Sequence, residues 1–421
     1  MILKLPYGRG SVVADLRGLH CRDLRPEAPL HAAPVAALVE SALDRPADGL
    51  PLAERARGAG RVTILVPDAT RKVPLPELLP RLLAALAHAG VRPHAVTVLV
   101  ACGTHPAADP QALAALVGPL PEGVRLLQHD ARDEAFLVEV GRLSTGEPVR
   151  LHRAAVEADL LVAVSTVQHH YFAGFTGGPK LVFPGVAGYE EIQANHRKVL
   201  DFTVEPPRRH PGCEPGVIAG NPVAEEIALT ARLRSPDFAL LLVEGAKGQP
   251  AWSAGGTLEV AFPLACERVK AWFEVAAGPF RRVVVSAGGF PTDDSLIQAH
   301  KALDAACRFA LPEAEVLFVA ACDGGAGSAD MAPFLADPRP QAIIARLAAD
   351  YVQYGQTTLR LVEKTARFRV VMVTSLDTEL VTRLGMRSVR DPQRVLDHWR
   401  DEAPHETIGL MAGTPVFPRR T

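Results

Sequence analysis

RVTILVPDATRKVPLPELLPRLLAALAHAG, residues 61–90, carries the pattern that decides the fold. RVTILV (61–66) is a short, β-branched apolar run of the kind that forms a buried strand. PELLPRLLAALAHAG (76–90) is rich in Leu and Ala with helical spacing. Between them PDATRK places Asp68, Thr70 and Arg71 on the connecting loop. The alternation continues through AVTVLV (95–100), DLLVAV (159–164), ALLLVE (239–244), RRVVVS (281–286), EVLFVA (315–320) and RVVMVT (369–374). Helical patterns such as LIQAHKALDAACRFA and PQAIIARLAADYV fall among them. Strand alternating with helix predicts an α/β fold with mostly parallel sheets.

A chain of 421 residues is long for one core and points to two α/β domains. The boundary is expected in EVAAGPF (274–280), where a helical pattern ends and a strand begins. The N-terminal domain is then residues 1–275. The C-terminal domain is 278–385, opening with RRVVVSAGGFPTDDSLIQAHKAL. The last thirty-odd residues, about 386–421, are expected to return to the first domain.

The net charge is −2, which gives no basic footprint, so nucleic acid is not an expected partner. Hydrophobic residues at 48% and charged residues at 22% are ordinary for a globular protein. The cysteines at 21, 102, 213, 266, 307 and 322 form no CxxC pair and suggest neither a disulfide framework nor a zinc ribbon. No run is long enough to cross a membrane, and MILKLPYGRG lacks a signal-peptide core, so the expected location is the cytoplasm.

In open α/β sheets ligands bind beyond the carboxyl ends of the strands. Polar and glycine-rich residues follow five of the strands here: PDATRK, ACGTHP, STVQHHYFAGFTGGPK, SAGGFPTDDSLIQAHK and ACDGGAGS. The densest is HHYFAGFTGGPKLVFPGVAGYEEIQANH (169–196), an apolar, glycine-rich loop with three histidines. Each residue also has an ordinary reading. Asp68 and Arg71 can cap a helix and pair with each other, and His105 can be a turn histidine. His169 and His170 should diverge, as adjacent side chains do in extended chain. Lys180 can reach solvent, and His196 can sit half-exposed on a helix. Thr176, Gly177 and Gly178 can form only a tight turn, although glycines also let backbone N–H groups approach an anion. Taken together, His105 and His170 can serve as acid and base near neutrality. His196 can ligate a metal, and Arg71 and Lys301 can hold a carboxylate. No Cys/His/Asp cluster offers a full coordination shell, so a bound metal would need most of its ligands from outside the protein.

The chain resembles the lactate racemase family of nickel-pincer-nucleotide enzymes. The resemblance runs in the family's order through PDATR, GTHP, HHYFAGFTGGPKLVFPG, EIQANH, GNP and DSLIQAHK. It implies two α/β domains with the active site in the cleft between them. It also implies nickel held in a pyridinium mononucleotide bearing a thioamide and a thiocarboxylate, tethered to Lys180, with His196 completing the coordination. By the same resemblance His105 and His170 are the acid/base pair. Arg71, Gln298, Lys301 and Phe172 face the substrate, and Asp68, Thr176, Gly177 and Gly178 face the cofactor. The implied reaction inverts C2 of a 2-hydroxy acid by hydride transfer to and from the cofactor, loaded by dedicated synthesis proteins. Lactate-acting members have an apolar residue in place of His169 and an aromatic in place of Ile297, so the expected substrate is more polar than lactate. A metal-dependent hydrolase or lyase on this fold would not need Lys180. A nickel or cofactor carrier would not need two acid/base histidines.

Overall fold

A computed structural model describes residues 1–30 and 34–420. The chain divides into two compact units. One comprises Ala28–Val199 with Arg209–Lys270; the other comprises Met1–Glu27, Leu200–Arg208 and Ala271–Thr421.

The first unit is built on a sheet whose order across is Pro250–Gly256, Phe238–Glu244, Leu160–Thr166, Val62–Pro67, Val96–Ala101, Arg125–Gln128. All neighbours are parallel except the pair formed by Phe238–Glu244 and Pro250–Gly256. The chain starts at Val62–Pro67, moves outward one way, then returns to lay Leu160–Thr166 on the other side. The reversal lies between Val62–Pro67 and Leu160–Thr166, the place where a doubly wound sheet opens a crevice at its carboxyl edge. Val62–Pro67 and Leu160–Thr166 are buried along their whole length, as expected of strands covered on both faces. Helix Leu75–His88 covers one face because Leu75, Leu78, Leu79, Leu82, Leu83 and Leu86 form one buried stripe against the strand side chains.

The second unit has a sheet of parallel strands ordered Arg387–Val389, Arg369–Val373, Ala310–Val319, Phe280–Ser286, Thr407–Met411, His20–Asp23. Here the reversal falls between Phe280–Ser286 and Thr407–Met411. A hairpin of Ile2–Tyr7 and Gly10–Asp15 contributes Leu5 and Ala14 to the core around Val284, Leu317 and Trp399, and the following Leu16 joins them.

The compact units group the two ends of the chain differently from the domains drawn from the sequence. Residues 1–27 belong to the second unit rather than to a 1–275 domain, because the hairpin and Leu16 seal its core and His20–Asp23 pairs with Thr407–Met411. Residues 386–421 stay in that unit too. Thr407–Met411 lies beside Phe280–Ser286, and Phe417–Pro418 pairs with Glu274–Val275.

Candidate active site

The loop after Val62–Pro67 is shaped by Asp68. Its Oδ1 accepts from the Thr70 N–H at 3.1 Å and from Thr70 Oγ1 at 2.5 Å, closing a local turn. Oδ2 is left for His105 Nδ1, which donates at 2.5 Å from the loop after the neighbouring strand. Burial works to raise the Asp68 carboxyl. The hydrogen bond and charge of His105, the Thr70 bond and the Arg71 charge outweigh it, so the group lies below its ordinary value. An ionised Asp68 keeps the His105 proton on Nδ1 and turns Nε2 into an acceptor. Asp68, placed with the cofactor from the sequence, is thus engaged first with a histidine.

His169 and His170 do diverge. His169 pairs with Phe175 in a two-residue ladder and stacks on its ring at 5.3 Å. His170 stacks on Tyr171 at 5.0 Å and meets the edge of Phe172 at 4.6 Å. His170 Nδ1 accepts from the Ala173 N–H at 3.1 Å, which places the proton of the neutral ring on Nε2.

Phe172 is the buried hub of this wall. Its ring meets His196 edge-on at 5.2 Å, and Lys180 Nζ lies 5.6 Å from its centroid. Burial, with the Arg71 charge added, pushes the Lys180 amine down to about 7. His196 is buried on helix Tyr189–Arg197, and burial plus the Lys180 charge pushes it down to about 3. The ring is therefore neutral, the form that binds metals. Its Nδ1 is buried with no hydrogen-bond partner among the described residues. An orphaned imidazole nitrogen beside a readily deprotonated lysine fits a metal-bearing group tethered at Lys180. Among the described residues no group of three or more His, Cys, Asp or Glu side chains is arranged to hold a metal, so His196 would supply one ligand to an ion coordinated mainly by that group.

The glycine turn before Lys180 is explained by packing. Gly177 and Gly178 have φ of +67° and +52°. A Cβ at Gly177 would lie 2.2 Å from the Thr166 carbonyl oxygen, and one at Gly178 would lie 2.3 Å from the Phe262 ring. Thr176 N–H donates to the Gln168 carbonyl at 2.8 Å, and Gly178 N–H donates to Ser165 Oγ at 3.0 Å. The Thr176 and Gly178 N–H groups are thus engaged within the protein. Thr176, Gly177 and Gly178 set the wall from which Lys180 projects.

Within this unit the fold thus assembles Asp68, Arg71, His105, His170, Phe172, Lys180 and His196 at one reversal of the sheet. The His169 ring goes to Phe175 instead. Gln298 and Lys301 belong to the other unit, where they sit one turn apart on helix Leu296–Cys307 and Lys301 Nζ donates to Gln298 Oε1 at 2.7 Å. That helix is held by Asp304, which is ion-paired with Arg360 at 2.9 Å, with Arg308 at 3.1 Å and with Lys364. Asn221 of the GNP motif, which the sequence left without a role, donates from Nδ2 to the Phe172 carbonyl at 2.8 Å while its Oδ1 caps helix Pro222–Ala231. An Asn directly before a Pro at a helix start was the available signal.

A sheet reversal lined by a carboxylate-held histidine, a second histidine and a lysine held near neutrality gathers groups able to exchange protons near neutral pH. Residues 7–205 match the family model of the lactate racemase N-terminal domain, and 276–406 that of the lactate racemase C-terminal domain. The chain belongs to the lactate racemase family. It is 31% identical to lactate racemase of Lactiplantibacillus plantarum over 301 residues, 71% of this chain and 69% of that one. It is 29% identical over 354 residues to lactate racemase of Thermoanaerobacterium thermosaccharolyticum, covering 82% and 80% of the two. The apoprotein structure of a lactate racemase from the latter organism superposes over the whole of both chains with a TM-score of 0.88 at 25% identity. A Thermotoga maritima protein shares the fold at a TM-score of 0.66 and 16% identity, over 87% of this chain and 95% of that one. These relatives support a racemase, an isomerase acting on a small molecule. No helix among the described residues is long and apolar enough to cross a membrane.

Proposed function

We propose that the chain inverts C2 of a 2-hydroxy acid, as a racemase or epimerase, using a nickel-pincer nucleotide tethered to Lys180 and ligated by His196. The observation that carries this reading is the Lys180 amine, held near neutrality by burial and Arg71 and set beside a buried, uncharged His196. A lysine in that state is suited to covalent attachment. Held by Lys180 and His196, the nucleotide would supply a reversible hydride acceptor for C2.

The remaining work falls to side chains. Arg71 orients the substrate carboxylate, and Gln298 and Lys301 are proposed as further substrate-binding residues. His105 Nε2 accepts the hydroxyl proton, and Asp68 balances the imidazolium that results. The 2-keto acid formed is planar at C2 and can present its other face before hydride returns. His170 serves the oxygen on the opposite hand. Phe172 excludes water beside Lys180 and His196, which keeps the keto acid from exchange while it turns. His169, whose ring stacks on Phe175, is proposed to present its edge to the substituent beyond C2, and the substrate is proposed to be more polar than lactate.

The test is intact mass and metal analysis of wild type and Lys180→Ala produced with the cofactor-synthesis proteins. A panel of 2-hydroxy acids is then read by chiral chromatography. The reading requires added mass and nickel in the wild type alone, and interconversion of at least one pair of isomers. The same adduct in Lys180→Ala would sink the tether. Lactate as the best substrate, with the ranking unchanged in His169→Leu, would sink the polar-substrate assignment.

A further inference from the structure

Helix Pro222–Ala231 touches two separate parts of the site wall, and nothing in the proposed chemistry uses it directly. At its first turn Asn221 performs two jobs. Oδ1 accepts the Ala224 N–H at 3.2 Å as the helix cap, while Nδ2 donates to the carbonyls of Phe172 at 2.8 Å and Val217 at 3.0 Å. Phe172 is the residue whose ring lies against His196 and Lys180. One turn along, Glu226 is buried and accepts from Asn195 Nδ2 at 3.1 Å, from Ser144 Oγ at 2.7 Å and from Lys198 Nζ. Asn195, on helix Tyr189–Arg197, and Lys198, its C-cap, flank His196. The other side of that short helix is fixed by Arg150, whose Nε donates to the buried Glu191 at 2.6 Å.

We infer that Asn221 and Glu226 are positioning residues which together set the His196 imidazole and its Phe172 wall, so that one helix fixes the direction of the sole protein ligand to the metal. This rests on His196 being that ligand. The argument is geometric. A ligating ring must be held to within about 0.5 Å and 10–20°, and the polar partner of the His196 ring is the Ile192 backbone of its own helix. Orientation must then come from the ring contact with Phe172 and from the helix backbone. Asn221 anchors the first, and Glu226, through Asn195 and Lys198, anchors the second. Removing a partner bonded directly to a metal-bound histidine weakens the metal by about 10- to 100-fold, and supports one contact further out are expected at the lower end.

The variants are chosen to separate positioning from folding. Asn221→Asp keeps a good helix cap but has no N–H to give the Phe172 carbonyl. Glu226→Gln keeps the shape but puts an amide NH2 where a carboxylate oxygen stood, so it cannot accept from Asn195 and from Ser144 and Lys198 at once. Leu79→Ala, in the core far along the sheet, is the destabilised control. All are produced with the cofactor-synthesis proteins. We expect Asn221→Asp and Glu226→Gln to keep the Lys180 adduct by mass but to lose nickel to a chelator about tenfold faster per adduct than wild type. Leu79→Ala should lower the melting temperature and release nickel at the wild-type rate. Wild-type release from both site variants, or equally fast release from Leu79→Ala, overturns the inference. If the wild type carries no adduct, it is the proposed function that fails, and hydrogen exchange on the unloaded chains decides the inference. Faster exchange confined to residues 171–175 and 189–197 in the two site variants sustains the positioning role. Unchanged exchange there overturns it.

Discussion

Asp68 Oδ2 accepts a hydrogen bond from His105 Nδ1 at 2.5 Å, joining loops that follow two adjacent parallel strands. The bond uses the oxygen that the Thr70 turn leaves over, so the loop and the histidine are set by one carboxylate. Asp68→Asn removes the charge and lets the amide donate instead of accept, which favours the wrong His105 tautomer. We expect kcat to fall by about 10²- to 10⁴-fold with substrate KM changed only a few-fold and the melting temperature nearly kept. Wild-type turnover in this variant would remove His105 from the base role.

The two histidines begin in opposite states. Asp68 keeps His105 Nε2 an acceptor, whereas the Ala173 N–H on Nδ1 makes His170 Nε2 a donor. A glutamine can replace a donor better than it can replace a base. His170→Gln should therefore retain more activity than His105→Gln, with losses of roughly tenfold against 10² or more. Equal losses in steady-state racemisation would mean that the tautomers do not set the roles.

Lys180 gives a pH prediction that needs no cofactor. Its amine is charged below about 7 and neutral above it, against about 10.4 for an ordinary lysine. Amine-directed labelling of the unloaded chain, read on the Lys180 peptide, should rise steeply between pH 6 and pH 8. If the rise appears only above about pH 10, as for an exposed lysine, the Lys180 environment is not the one described.

Glu244 ends the strand beside Leu160–Thr166 and is buried, with Oε1 unpartnered among the described residues. Burial, opposed by Lys72 and a hydrogen bond with Gln168, pushes its carboxyl up to about 7 from 4.5. A carboxyl raised on folding gives its full stability below the unfolded value and loses it as pH rises through the folded one. Glu244→Gln should thus melt with wild type near pH 4.5 and above it, by several degrees, at pH 8. An equal difference at both pH values would show that Glu244 does not titrate in this window.

The seven strands expected from apolar runs are all present, because β-branched runs buried on both faces declare themselves without context. Several of the strands not anticipated are short or poorly patterned. Arg125–Gln128 and Arg387–Val389 are edge strands with little buried surface, and His20–Asp23 is polar. His20–Asp23 is a strand only because Thr407–Met411 offers it a partner nearly four hundred residues away. The same limit applies to the site. Asp68, His105, Lys180 and His196 stand out as chemical groups in sequence. That Asp68 holds His105, that Ser165 takes the Gly178 N–H, and that Asn221 reaches Phe172 depend on pairings no local pattern encodes.

The hairpin at the start of the chain has a consequence for how the protein comes off the ribosome. Leu5, Ala14 and Leu16 lie in a core completed by Val284, Leu317, Trp399 and Leu410. These first residues therefore emerge with nothing to bury against until almost the whole chain has followed, while the unit spanning Ala28–Val199 and Arg209–Lys270 can close around its own sheet much earlier. A cut at residue 275, the natural place to divide the gene, would leave one fragment with an orphaned hairpin and the other with an open core. Grafting residues 1–27 after Ala271–Thr421, by permutation, reunites the hairpin with its core and leaves only Leu200–Arg208 of that unit inside the other.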